Sequence, residues 1–195
     1  MKLGLLLFLP LLLILQGCDK AQVPQLSSQA TIVAFGDSLT AGVGASAGSD
    51  YPTQLANLSG FNIINAGISG ETTKEGLKRL SSVLAKHGPE LLILLEGGND
   101  FLRNRPLAET KANLAAMIEL AQSQGVTVLL IAVPQKSLFL TASPIYAELA
   151  QEYQLVILEE TLSDLLASPS KKSDAIHLND AGYQVLAEAV YQLLR

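Results

Sequence analysis

Three short stretches of this 195-residue chain carry side chains that could do chemistry together. Phe35-Gly36-Asp37-Ser38-Leu39-Thr40-Ala41-Gly42 directly follows the apolar run 31–35. A Gly-bounded turn at a strand tip lifts the Ser38 hydroxyl clear of a sheet and leaves backbone N–H groups free to meet a developing oxyanion. Alone, Gly-Asp-Ser-Leu is equally ordinary turn chemistry, so its weight depends on partners. Ser173-Asp174-Ala175-Ile176-His177-Leu178-Asn179 offers two. A carboxylate at Asp174 that accepts from Nδ1–H holds the His177 tautomer, stabilises the imidazolium and leaves Nε2 to deprotonate a hydroxyl. The only other histidine is His87, at the end of a helical stretch where the helix dipole accounts for it without chemistry.

Gly97-Gly98-Asn99-Asp100 adds a neutral donor. Paired glycines and a carboxamide are unusual at the end of a buried strand, and Asn99 Nδ2–H can aim where negative charge develops; a hydrogen-bonded turn is the alternative. In Asn65-Ala66-Gly67-Ile68-Ser69-Gly70-Glu71-Thr72 a glycine lets backbone approach a substrate and present an N–H, although loop-to-helix turn chemistry explains the same residues. No further His or Cys is on hand to complete a metal site, so none is expected. Gly44-Ala45-Ser46-Ala47-Gly48 matches Gly-x-Ser-x-Gly, but that motif needs a strand immediately before it and a helix after. Here it lies past the strand in a small-residue loop, read as mobile and substrate-facing, and Ser46 is not expected to be a nucleophile.

The elements around these residues alternate. Apolar strand signals at 31–35, 61–65, 91–95, 127–133 and 155–158 are interleaved with helical patterns at 51–58, 73–86, 107–124, 145–153 and 180–194. Thr72 and Glu75 have capping-box spacing, and His87-Gly88-Pro89 stops the same helix. Apolar strands alternating with helices mean an α/β fold, a parallel sheet covered on both faces. Such sheets bind ligands beyond the carboxyl ends of their strands, where Ser38, Gly70 and Asn99 all fall.

The chain ends bound the rest. Lys2, an apolar run through 3–15 and Gln16-Gly17-Cys18 have the plan of a secretory signal, too short for a spanning helix. Leu15-Gln16-Gly17-Cys18 resembles a bacterial lipobox, with Cys18, the single cysteine, as the lipidated residue. Residues 1–17 are therefore expected to be a lipoprotein signal peptide, 18–29 a lipidated tether, and 30–195 one domain. A net charge of −5 without a Lys/Arg cluster argues against nucleic acid.

Gly-Asp-Ser-Leu, Ile-Ser-Gly-Glu-Thr, Gly-Gly-Asn-Asp and Asp-Ala-Ile-His, in this order and spacing across 30–195, resemble the four blocks of the SGNH (GDSL) hydrolase family, and most the bacterial periplasmic thioesterase/arylesterase/lysophospholipase branch. The resemblance implies a three-layer α/β/α, flavodoxin-like fold with a five-stranded parallel sheet. It implies a serine esterase acting on carboxylic esters or thioesters through an acyl-enzyme, with Ser38 as nucleophile, His177 as base and Asp174 as orienting acid. The oxyanion hole would be the N–H groups of Ser38 and Gly70 and the side chain of Asn99. No cofactor is implied, and the expected partners are a small acyl ester or thioester, including lysophospholipid, and a membrane reached through the anchor at Cys18. A monomer is expected in the bacterial cell envelope, facing the periplasm, with Asp19 resembling an inner-membrane retention signal. Two departures stand out: Leu178 where the family often has Pro after the histidine, expected to loosen that loop, and Phe101 where relatives often have a small residue. Val133-Pro134 and Leu138-Phe139-Leu140 could line an acyl groove or simply pack. Rival readings are a carbohydrate O-deacetylase of the same family, a non-catalytic binding lipoprotein, and a nucleotide-binding module; the last is weakened because Asp37 and Ser38 stand between the first strand and the glycines.

Overall fold

A computed structural model describes residues 21–135 and 140–195. The signal, the lipobox and the segment 136–139 lie outside the described residues. Five strands, β1 (Thr31–Gly36), β2 (Asn62–Gly67), β3 (Leu91–Leu95), β4 (Thr127–Ile131) and β5 (Val156–Leu158), form one sheet in the order β2-β1-β3-β4-β5. Every neighbouring pair is parallel. β3, Leu-Leu-Ile-Leu-Leu, is buried throughout, as a central strand covered on both faces must be. β2 is an edge strand and stays partly exposed.

Helices cover both faces. α2 (Tyr51–Ser59) packs with α8 (Asp180–Leu193) on one side, while α3 (Thr73–His87), α5 (Leu107–Ser123) and α6 (Pro144–Glu152) cover the other. α7 (Thr161–Ala167) packs beside α8. Two very short helices, α1 (Ser38–Ala41) and α4 (Gly98–Leu102), stand directly after β1 and β3. The capping box is present: the Thr72 N–H donates to Glu75 Oε2 at 2.9 Å. Gly88, at φ 52°, closes α3.

The sheet order reverses between β1 and β3, because the chain lays β2 on one side of β1 and then crosses to the other. Ligands bind at such a switch point, outside the carboxyl ends of the strands. Ser38 follows β1 and Asn99 follows β3, so the topology sets them on opposite sides of that crevice. At the other rim, residues 21–29 do not hang free. Val23 and Leu26 pack against the core, and the Ser27 N–H donates to Glu90 at 3.0 Å, just ahead of β3. β4 is two residues shorter than the sequence pattern suggests, because Val133 leaves the ladder and accepts the Ser143 N–H at 3.1 Å instead.

Candidate active site

The turn after β1 is built by close approach. A Cβ on Gly36 would fall 2.2 Å from the Leu95 carbonyl oxygen, so only glycine lets β1 end against β3 there. Asp37 then caps α1, its Oδ1 accepting the Leu39 N–H at 3.0 Å. The Ser38 N–H at the head of that helix donates to none of the described residues. Asp37 is itself buried, and its Oδ2 accepts from Asn99 Nδ2 at 3.2 Å. Burial pushes the Asp37 carboxyl up to about 6, against the lowering effects of the Leu39 N–H, His177 and Asn99. Nothing in the residues singled out this carboxyl beyond its place beside Ser38.

The loop ahead of α8 brings the imidazole to the serine. Asp174 Oδ1 accepts the N–H groups of Ile176 and His177, both at 2.8 Å, and its Oδ2 lies 2.8 Å from His177 Nδ1. These contacts, the His177 bond first, hold the Asp174 carboxyl below its usual range. An ionised Asp174 makes Nδ1–H the donor, so Nε2 carries the lone pair. Nε2 lies 3.0 Å from Ser38 Oγ. The three groups thus form one hydrogen-bonded chain from carboxylate to hydroxyl.

Leu178 does not loosen this loop. Its side chain is fully buried, and the Ser173 N–H donates to the His177 carbonyl at 3.0 Å, so an apolar anchor replaces the rigidity a proline would supply. The Gly44–Gly48 stretch is not a substrate loop either. The Ser46 N–H donates to Asp180 at 2.7 Å and the Val43 carbonyl accepts from Tyr183 at 2.8 Å. A Cβ on Gly44 would fall 2.1 Å from Ser173 Oγ. The stretch therefore braces the histidine loop and the start of α8.

Gly70 sits at φ 81°, and its N–H donates to none of the described residues. Its carbonyl accepts from Arg103 Nη2 at 2.8 Å. Asn99 lies in the first turn of α4 rather than on a strand end. Ser38 and Asn99 line one cleft of about 180 Å³ whose walls include Phe101, Val133, Pro134 and Ile176. Leu140 also lines it, while Leu138 and Phe139 lie outside the described residues. The Phe101 and Tyr146 rings pack edge to face, their centroids 6.3 Å apart at 84°. The structure thus brings Ser38, His177, Asp174 and Asn99 together, and places Ser46 elsewhere.

A flavodoxin-like sheet with a serine, an imidazole and a carboxylate in series at its switch point belongs to the α/β/α hydrolases. The GDSL-like Lipase/Acylhydrolase family matches residues 34–185, and the chain belongs to it. It is 33% identical to esterase TesA of Pseudomonas aeruginosa over 127 residues, 62% of this chain; that match spans 63% of the relative, less than two thirds of its length. It is 29% identical over 166 residues to the thioesterase 1/protease 1/lysophospholipase L1 of Escherichia coli, covering 81% of this chain and 80% of that protein. Among solved structures, the SGNH-hydrolase family esterase AlinE4 superposes with a TM-score of 0.65 at 33% identity, over 86% of this chain and 96% of that one.

Proposed function

We propose that this chain is a serine esterase that hydrolyses carboxylic ester or thioester bonds of acyl substrates through an acyl-enzyme. The observation that carries the reading is the unbroken series Asp174 Oδ2–His177 Nδ1 at 2.8 Å and His177 Nε2–Ser38 Oγ at 3.0 Å. His177 Nε2 takes the Ser38 proton as Oγ attacks the acyl carbonyl, and Asp174 holds the imidazolium that results. The N–H groups of Ser38 and Gly70, with Asn99 Nδ2, receive the oxyanion. Asn99 spends one of its two protons on Asp37, which fixes the amide plane and leaves the other for substrate. Collapse expels the alcohol or thiol, which leaves with the proton from His177. Water, deprotonated by the same nitrogen, then attacks the acyl-enzyme and releases the acid.

The largely apolar walls of the cleft favour an acyl chain over a sugar, against the O-deacetylase alternative. The names of the relatives suggest thioesters and lysophospholipids among the substrates. Export and lipid anchoring at Cys18, in the cell envelope and facing the periplasm, remain the best reading of residues 1–19, and the active unit is a monomer. The test is turnover of p-nitrophenyl esters from acetate to palmitate by wild type, Ser38→Ala and Asn99→Ala. Loss of the serine is expected to lower kcat by about 10⁶, and loss of the oxyanion donor by about 10²–10³. Near-wild-type turnover by Ser38→Ala would end the proposal.

A further inference from the structure

Beneath the reacting groups lies a carboxyl pair that the mechanism above does not use. Glu96 follows β3 directly and precedes Gly97-Gly98-Asn99. Its side chain is fully buried, and neither carboxyl oxygen meets a donor among the described residues. Beside it stands the carboxyl of Glu71, on the stretch that carries Gly70. Both border one glycine: a Cβ on Gly76 would lie 3.4 Å from Glu96 Oε1 and 3.6 Å from Glu71 Oε2. Two ionised carboxylates side by side, out of water, repel strongly. One shared proton removes the repulsion and supplies the missing donor.

Which carboxyl keeps the proton follows from the neighbours. Arg79 Nε donates to both oxygens of Glu71, at 2.7 and 2.9 Å, and its Nη2 also reaches Glu71. Glu71 is therefore the carboxylate and Glu96 the acid. Burial, Asp37 and Glu71 all raise the Glu96 carboxyl well above its usual range, with Arg79 the one opposing charge. The chain of contacts continues to the backbone. Arg79 Nη2 donates to the Ala66 carbonyl at 2.9 Å, the Ile68 N–H donates to the Gly36 carbonyl at 2.9 Å, and the Glu71 N–H turns back to Ile68 at 3.2 Å. On its own side, the Glu96 carbonyl accepts from Tyr146 Oη at 2.6 Å. Gly97 next to it takes φ 114°, where a Cβ would fall 2.4 Å from that same hydroxyl.

We infer that Glu96 is a positioning residue for both halves of the oxyanion hole: its acid proton binds Glu71 and so fixes the Gly70 stretch, while its backbone fixes the turn that carries Asn99. The inference rests on the assignment of Gly70 and Asn99 as oxyanion donors. Glutamine can donate to Glu71 as the acid does, and leucine fills similar space without donating. Glu96→Gln is expected to keep kcat within about threefold, and Glu96→Leu to lower it about ten- to a hundredfold with KM little changed, part of what losing a donor outright costs. The infrared spectrum at neutral pH is expected to hold a protonated-carboxyl band that Glu96→Gln removes. Wild-type kcat in Glu96→Leu, equal losses in the two variants, or no such band would each overturn the inference. If Glu96→Leu does not fold, the infrared band decides: its presence in the wild type and loss in Glu96→Gln supports the inference, and its absence overturns it. Ser38→Ala in the same assay separates the cases, since its inactivity beside an unaffected Glu96→Leu would sink the inference alone.

Discussion

His177 Nε2 stands 3.0 Å from Ser38 Oγ although 139 residues separate them in the chain. Asp174 makes that approach useful twice over. One of its oxygens gathers the loop backbone, and the other receives Nδ1–H. Asparagine at 174 can keep the first role with its carbonyl oxygen but would turn an N–H₂ toward Nδ1. The imidazole would then carry its proton on Nε2 and could no longer accept from Ser38. Asp174→Asn is thus expected to lower kcat by about 10⁴, the cost of the wrong tautomer in a serine-protease triad, with an unchanged urea midpoint. The Asp174 side chain is 53% exposed, so a loss below tenfold would mean that water orients the ring instead.

Asp37 sets a pH dependence of stability whose sign is unusual for an aspartate. Its carboxyl rises from 3.8 to about 6 on folding, chiefly through burial. Between about pH 4 and 6 the folded chain holds a proton that the unfolded chain has released, so this group favours the fold most at low pH. That contribution is lost as pH climbs through 6, about 3 kcal/mol at about 1.4 kcal/mol per pH unit. Asparagine does not titrate. The stability of Asp37→Asn relative to wild type, from urea unfolding at pH 4.5 and 7.5, is expected to improve by about 2 kcal/mol at the higher pH, the rest of the change lying below pH 4.5. An equal difference at both pH values would return Asp37 to an ordinary carboxylate.

Much of this was legible in the residues. The buried strands read clearly because Leu91–Leu95 and its neighbours are continuous apolar runs between turn residues. The chemistry read clearly because Ser38, Asn99, Asp174 and His177 each follow or precede an element in a way packing alone does not explain. α1, α4 and α7 were not legible, since four to seven residues show no helical periodicity. Nor was the approach of Glu96 to Glu71: the two lie 25 positions apart, and they come together only where the fold sets both beside Gly76. The bracing role of Val43–Gly48 was hidden for the same reason, because its partners, Ser173, Asp180 and Tyr183, arrive from the far end of the chain.

Phe101 lines the cleft. Its ring is 9% exposed and closes one wall beside Asn99, packed edge to face with Tyr146. Phe101→Ala opens volume where an acyl chain would run. The ratio of kcat/KM for p-nitrophenyl octanoate over acetate is expected to rise about tenfold or more, since each methylene placed in apolar surroundings adds about 1 kcal/mol or more. An unchanged ratio would put the acyl chain along another wall.

The docking of residues 21–29 bears on the proposed anchor. Ser27 is tied to Glu90 and Leu26 packs, partly buried, against the core, so the described chain leaves the domain at the rim where the strands begin. Ser38, Asn99 and His177 stand at the rim where they end. A lipid on Cys18 would then hold the protein with its cleft turned away from the bilayer, open to soluble esters. Cys18→Ser is expected to move the protein from the membrane fraction to the soluble one and to abolish labelling by a fatty-acid analogue. Its kcat on p-nitrophenyl butyrate is expected to stay within about twofold of wild type, because no group that touches substrate lies near that rim. Full membrane retention by Cys18→Ser would remove the anchor, while a large fall in kcat would mean that the amino-terminal segment reaches the cleft after all.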